Sequence, residues 1–272
     1  MDLRTFIFPN LRGGHSVDRE LDAEYLEMHI HTEVEILYVY KGTLSFQAEG
    51  TIYSVEPGDL ILFRSSEVHS IIEKINTPLY ERITFHVSPE LLKETLNGRL
   101  LKPFMDRPLG TMNHYRSSEL PGELIKACLQ QVFSDCEIRS EMQILSYLLP
   151  VLQAIYDTYC KKLTDHAPEE ASSASQIVAY INSHLYELKD ITQLEEEFFL
   201  CASQINRIFH KSMGTSVWHY IKLKRLYSAR EMLQSGIAPT FAAANCGYQD
   251  YSAFFRAYKK QFGRTPKDDC VK

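Results

Sequence analysis

The sequence predicts an α+β fold: an N-terminal antiparallel β-barrel followed by helices, then an all-α C-terminal domain with two helix-turn-helix units joined by a long helix. Three observations carry this. From about Glu33 to His86, short β-rich runs alternate with turn signals. Residues 164–175, TDHAPEEASSAS, are small, polar and proline-containing, and read as a linker. Beyond them, Ser203, Arg207, Phe209, Lys211 and Gly214 recur in the same order and spacing as Ser252, Arg256, Tyr258, Lys260 and Gly263. The expected division is 1–163, a linker at 164–175, and 176–272.

Composition narrows the class. At 272 residues, 44% hydrophobic and 24% charged, the chain is long enough for two cores and is neither disordered nor fibrous in character. No apolar run reaches the roughly 18 residues that span a bilayer, so no membrane partner is expected. The start, MDLRTFIFPN, lacks a basic stretch followed by a long apolar core, which argues against a signal peptide. Six cysteines without a CxxC pair suit reduced thiols in a cytoplasm. The net charge of −6 is unevenly held: residues 1–172 are strongly acidic, while 173–272 carry a basic excess.

The runs EILYVY, TLSFQAEG, TIYSV, DLILF and YERITFHV, with Gly42 and Pro57-Gly58 between them, read as strands of a sandwich or barrel. After Ser88-Pro89 the pattern turns helical. One amphipathic helix is expected over 119–133, with Pro121 in its first turn. A second is expected over 137–162, with a stripe of Ile138, Met142, Leu145, Leu149, Leu152, Ile155, Tyr156 and Tyr159 that serves as core or as a dimer surface. Pro150 should kink or divide it.

Past the linker, Asp190 is a plausible cap for a helix through Leu194 and Phe198, and a second helix runs from near Cys201 to Met213. Ser216 to Gln234 reads as one long helix ending at Gly236, with an apolar face of Trp218, Ile221, Leu223, Leu226, Ala229 and Leu233. Ala242–Cys246, the turn Gly247-Tyr248, and a helix capped by Asp250 and continuing to Phe262 repeat the arrangement. The side opposite the apolar residues presents Ser203, Asn206, Arg207 and His210 in the first unit, and Tyr251, Ser252, Phe255, Arg256 and Lys259 in the second. Arginine reads guanine and asparagine reads adenine through paired hydrogen bonds. Lys211 and Lys260, near the helix ends, suit phosphates. Two such units point to double-stranded DNA.

On these residues, 174–269 resemble the DNA-binding domain of the AraC/XylS transcription regulators. GYQDYSAFFRAYKKQFGRTP (Gly247 to Pro266) resembles the family signature closely, and YIKLKRLYSAREML (Tyr220 to Leu233) matches its linker helix. The resemblance implies that the second helix of each unit enters the major groove, with Ser203, Asn206, Arg207, Tyr251, Ser252, Phe255 and Arg256 at the DNA. Glu195 stands where the family usually keeps alanine, Cys201 replaces a capping serine, and Ala242 replaces a bulkier aliphatic residue. An unpaired buried carboxylate is costly, so Glu195 is expected to be partly exposed. Phe255, where a polar residue is common, suits a thymine methyl.

In the N-terminal half, His29, His31, Glu35 and Gly42 resemble the first cupin motif, and Gly58-Asp59 with His69 the second in outline; Arg64 and Ser66 replace its usual proline and glycine. Alternation would place His29 and His31 on one strand face. His29, His31, Glu35, Tyr38 and His69 are the candidate effector residues of a cupin-like barrel. The expected cofactor is none, although three imidazoles and a carboxylate would suit Fe, Mn, Ni or Zn. Arg64, Arg82 and His86 are further polar groups whose facing the sequence leaves open. The resulting reading is a bacterial, homodimeric transcription regulator, not an enzyme, with DNA, a small effector (a sugar by family resemblance) and RNA polymerase as partners. Its rival is a metal-dependent cupin isomerase or dioxygenase with a structural helical half.

Overall fold

The computed structural model describes residues 2–19, 28–75, 78–134, 140–165 and 172–270. Cys136, Ile138 and most of the expected linker, 166–171, lie outside the described residues. Two compact units form: residues 1–29 with 33–170, and residues 30–32 with 171–272.

In the first unit, nine strands build two antiparallel sheets. They are β1 (Asp2–Ile7), β2 (Leu11–Asp18), β3 (Val34–Lys41), β4 (Thr43–Ala48), β5 (Thr51–Val55), β6 (Leu60–Phe63), β7 (His69–Ile75), β8 (Tyr80–Val87) and β9 (His114–Tyr115). The sheet orders are β1-β2-β8-β3-β6-β9 and β5-β4-β7. The larger sheet is buried on both faces, which explains why VEILYVYK reads as continuous apolar sequence instead of alternating. Its Val34, Ile36 and Tyr38 join a core with the following helices. Leu37 and Val39, on the opposite face, join Leu44, Phe46, Val55, Ile61, Phe63, Ile71 and Tyr80 between the sheets.

β1, β2, β7 and β9 add to the strands expected from sequence. β2 is unreadable because its Gly13-Gly14 resembles a turn. Gly13 is needed there for contact: a Cβ would lie 2.7 Å from the Phe6 ring and 2.8 Å from the Thr84 carbonyl oxygen.

The helical layer comprises α1 (Pro89–Glu94), capped by Ser88, a 3-10 stretch (Thr95–Leu101), α2 (Lys102–Met105), α3 (Gly122–Val132) and α4 (Glu141–Asp165). Pro121 stands at the N-cap of α3, before its first turn. α4 continues through Pro150 undivided. Its buried face is Ile144, Leu148, Val151, Leu152, Ile155 and Tyr159, while Met142 is 73% exposed. The stripe read from sequence was thus rotated, its Leu145, Leu149 and Tyr156 being only partly buried.

The second unit is helical: α5 (Ser173–Ser183), α6 (Thr192–Phe198), α7 (Ala202–Met213), α8 (Val217–Gln234), α9 (Pro239–Asn245) and α10 (Tyr251–Phe262). α5 absorbs residues 173–175 because Ser172 caps it, accepting from the Ser175 amide at 3.1 Å. α8 is the spine. Near its start, Tyr220 packs edge-on against Phe209 at 5.4 Å and accepts from Asn182 Nδ2 at 2.8 Å. Arg225 donates from Nε to Leu185 O (2.8 Å) and from Nη2 to Leu188 O (2.6 Å), fixing the segment before α6. Further along, Leu226, Ala229 and Leu233 share a core with Ala242, Ala243, Cys246, Phe254 and Tyr258. Trp218, expected on the apolar face, is exposed instead.

Candidate nucleic-acid interface and sensor site

The two helix-turn-helix units reach one geometry through different chemistry. In the second, Asp250 accepts from the amides of Ser252 (3.0 Å) and Ala253 (2.9 Å), capping α10. Gly247 turns the chain at φ +78, where a Cβ would sit 2.8 Å from the Tyr186 carbonyl oxygen, so glycine is required. In the first, Phe199 adopts φ 53 and is almost fully exposed. Cys201 is the N-cap of α7, and its amide donates to Gln204 Oε1 at 3.1 Å. Glu195 is half-buried and accepts from the Ala202 amide at 2.6 Å. The carboxylate that looked out of place in the sequence thus satisfies an orphan amide where the helix dipole favours negative charge.

Ile205 and Phe209 in α7, and Phe254 and Tyr258 in α10, are buried. On the other side, Ser203, Arg207, His210 and Lys211, and Tyr251, Ser252, Arg256, Lys259 and Lys260, are exposed, while Asn206 and Phe255 are half-buried. The Asn206 amide donates to Ala202 O at 3.0 Å, so it must turn outward before it can reach a base. The Cys201 thiol is held below its usual pKa by the Ser203 hydroxyl and the Gln204 backbone, whereas burial pushes Cys246 up to about 11.

In the first unit, His29, Glu35 and His69 come together, their ligand atoms all within 4.8 Å of one another. His29 pairs with His69 through two backbone hydrogen bonds of 3.0 and 3.1 Å, an isolated bridge. Residues 30–32 continue outside any strand, so alternation does not apply to His29 and His31. His31 is half-buried and lies in the stretch grouped with the second unit. Tyr38 does not join the cluster; it faces the helical layer, opposite to Glu35 on β3. His86 lies across the strand ladder from Glu35.

Arg82 is buried with Asp18 at 2.7 Å. Arg64 donates from Nη1 to Arg107 O at 3.1 Å, and Ser66 takes the left-handed φ of 62 that glycine would ordinarily fill. Next to it lies a network the sequence reading missed. Glu67 receives Arg107 Nη1 and Nη2 at 2.8 Å each, Gly110 N at 2.8 Å, and Asn113 Nδ2 and Arg64 N at 3.0 Å each. Burial opposes its charge, yet the Arg107 guanidinium and these donors lower its pKa to about 2.

An open cavity of about 580 Å³ lies between the larger sheet and α3, lined by Arg4, His15, Tyr40, Glu81, Gln130 and Phe133 among others. His15 Nε2 meets Glu81 Oε1 at 3.0 Å, and Lys41 holds the other carboxylate oxygen at 2.8 Å.

A two-sheet sensor domain and a domain with two exposed, basic second helices define a DNA-binding transcription regulator. Residues 18–152 match the family described as AraC-like ligand binding domain, and residues 194–269 match the one described as Helix-turn-helix domain. The chain belongs to the AraC/XylS family of transcription regulators and is not an enzyme. It is 24% identical to the HTH-type transcriptional regulator YbfI of Bacillus subtilis, covering 82% of this chain and 79% of that one. It is 22% identical to the HTH-type transcriptional activator RhaR of Cronobacter sakazakii, covering 88% and 84%. Among solved structures, ToxT of Vibrio cholerae aligns over 95% of this chain and 97% of its own, at 12% identity and a TM-score of 0.39. Among the described residues, no helix is long and apolar enough to cross a membrane.

Proposed function

We propose that this AraC-type regulator binds a promoter through α7 and α10 and responds to a sugar or related polyol in its sensor domain. The exposure of Arg207 and Arg256 at matching positions on two second helices, braced by one long α8, carries the DNA reading. Ser203, Asn206, Arg207, Tyr251, Ser252, Phe255, Arg256 and Lys259 face the bases or the groove edge, and Lys211 and Lys260 hold phosphates. For the effector, the cavity beside α3 offers hydrogen-bonding groups around the Phe133 ring, a combination suited to a polyhydroxylated ring. This favours it over the His29–Glu35–His69 cluster and Tyr38 as the effector site.

Dimerisation through α3 and α4 is supported by the exposed Leu124 and Met142. A cytoplasmic setting is supported by free thiols at Cys128, Cys160, Cys201, Cys246 and Cys270. RNA polymerase is the partner such a promoter-bound regulator would meet.

The test is binding of the full chain to the DNA upstream of its own gene at two salt concentrations, with a thermal-shift screen of sugars. Specific, salt-sensitive binding and a sugar-dependent rise in Tm are expected. Binding to that DNA no tighter than to unrelated DNA would overturn the operator reading, and no Tm response to any sugar would overturn the effector.

A further inference from the structure

We propose that His29, Glu35 and His69 form a binding site for one divalent transition-metal ion inside the sensor domain. The argument starts at His69. Its Nδ1 lies 2.9 Å from the Glu67 carbonyl oxygen, which can only accept, so Nδ1 carries the hydrogen. In the neutral ring this leaves Nε2 as a lone-pair donor, and that atom faces Glu35 Oε2 at 3.1 Å. A ring nitrogen and a carboxylate oxygen, both electron-rich and both buried, hold this distance only with positive charge between them, as a proton or as a metal ion.

Three further observations favour the metal. The third ligand atom, from His29, is within 4.8 Å of the other two, giving two imidazoles and one carboxylate from separate parts of the chain. Two ligands each about 2.1 Å from one ion and at roughly a right angle stand about 3 Å apart, which is the separation found. His69 is also oriented as a ligand should be: its distal N–H goes to a backbone carbonyl, and Phe63 stacks on it at 3.8 Å with planes 8° apart. The paired backbone hydrogen bonds between residues 29 and 69 fix the second imidazole beside it.

Two nitrogens and one carboxylate oxygen suit zinc, nickel, cobalt, iron(II) or manganese over calcium or magnesium, and three protein ligands leave positions open for water. This inference stands apart from the sugar reading, because binding here needs neither effector nor DNA.

The experiment titrates cobalt(II) into chelator-stripped full-length protein, followed by its visible absorption and by thermal shift, with zinc as competitor. One equivalent per chain, a raised Tm and displacement by zinc are expected. Glu35→Gln and His29→Ala, each checked for native circular dichroism, should weaken binding at least tenfold. His114→Gln, which alters a histidine paired to Asp59 elsewhere, should leave it unchanged. Uptake of less than one equivalent by the wild type, or equal affinity in the Glu35 and His29 variants, would overturn the site and leave a proton shared by His69 and Glu35.

Discussion

The two units keep their charges in opposite places. The sensor unit buries Asp18, Glu35, Glu49, Asp59, Glu67, Arg82 and Arg107, while in the helical unit only Lys224 and Asp269 among the described charged residues are buried. Arg207, Arg256, Lys259 and Lys260 stand in solvent. A buried ion must be paired within the protein to be tolerated, whereas a solvated cation is free to pair with a partner. Charges in the first unit should therefore govern folding and those in the second should govern association. Substitutions can separate the two.

The largest effect should come from Glu67→Gln. It leaves the Arg107 guanidinium buried without its counter-charge and should cost about 3–5 kcal/mol of stability, read by denaturant unfolding. DNA affinity of the remaining folded protein should not change. A variant as stable as the parent would show that the network is not holding residues 102–113 in place. Since the folded Glu67 pKa of about 2 lies below its ordinary value of 4.5, this stabilisation is present above that ordinary value and fades as pH falls toward 2.

Arg256→Ala should invert the pattern, with thermal stability unchanged and specific binding weakened by about 1–3 kcal/mol, the usual worth of a bidentate base contact. Arg207→Ala should behave alike. Lys260→Ala should weaken binding to every sequence and flatten its salt dependence by about one unit of slope. Loss on specific DNA at constant slope would contradict a phosphate contact.

The same division explains how much the sequence disclosed. Exposed charges are free to repeat without regard to packing, so Ser203–Arg207–Lys211 and Ser252–Arg256–Lys260 were visible as a pattern, and the helices carrying them fall within a residue or two of expectation. Asp250 was legible as a cap because capping is local. The sensor's pairs join residues far apart in the chain, as with Glu67 to Arg107 and Asp18 to Arg82, and no local spacing announces them. His29, Glu35 and His69 were legible as candidates. Their grouping rests on a backbone bridge, and the same reasoning misplaced Tyr38 because a strand buried on both faces hides which face is which.

The smallest effects should appear where the helical unit's own two halves differ. Asp250→Ala removes a cap that serves two amides and should cost about 1 kcal/mol. Cys201→Ser installs a better capping oxygen at the equivalent place and should stabilise by a few tenths of a kcal/mol or leave stability unchanged. Thiol reactivity gives an independent reading of the same site. Cys201 is exposed with a lowered pKa and Cys246 is buried with a raised one, so limited alkylation followed by mass spectrometry should modify Cys201 well before Cys246. Equal rates at the two cysteines would mean that the cap of α7 opens as readily as solvent reaches the core around α9, and the first unit could not then present Ser203 and Arg207 as a fixed pair.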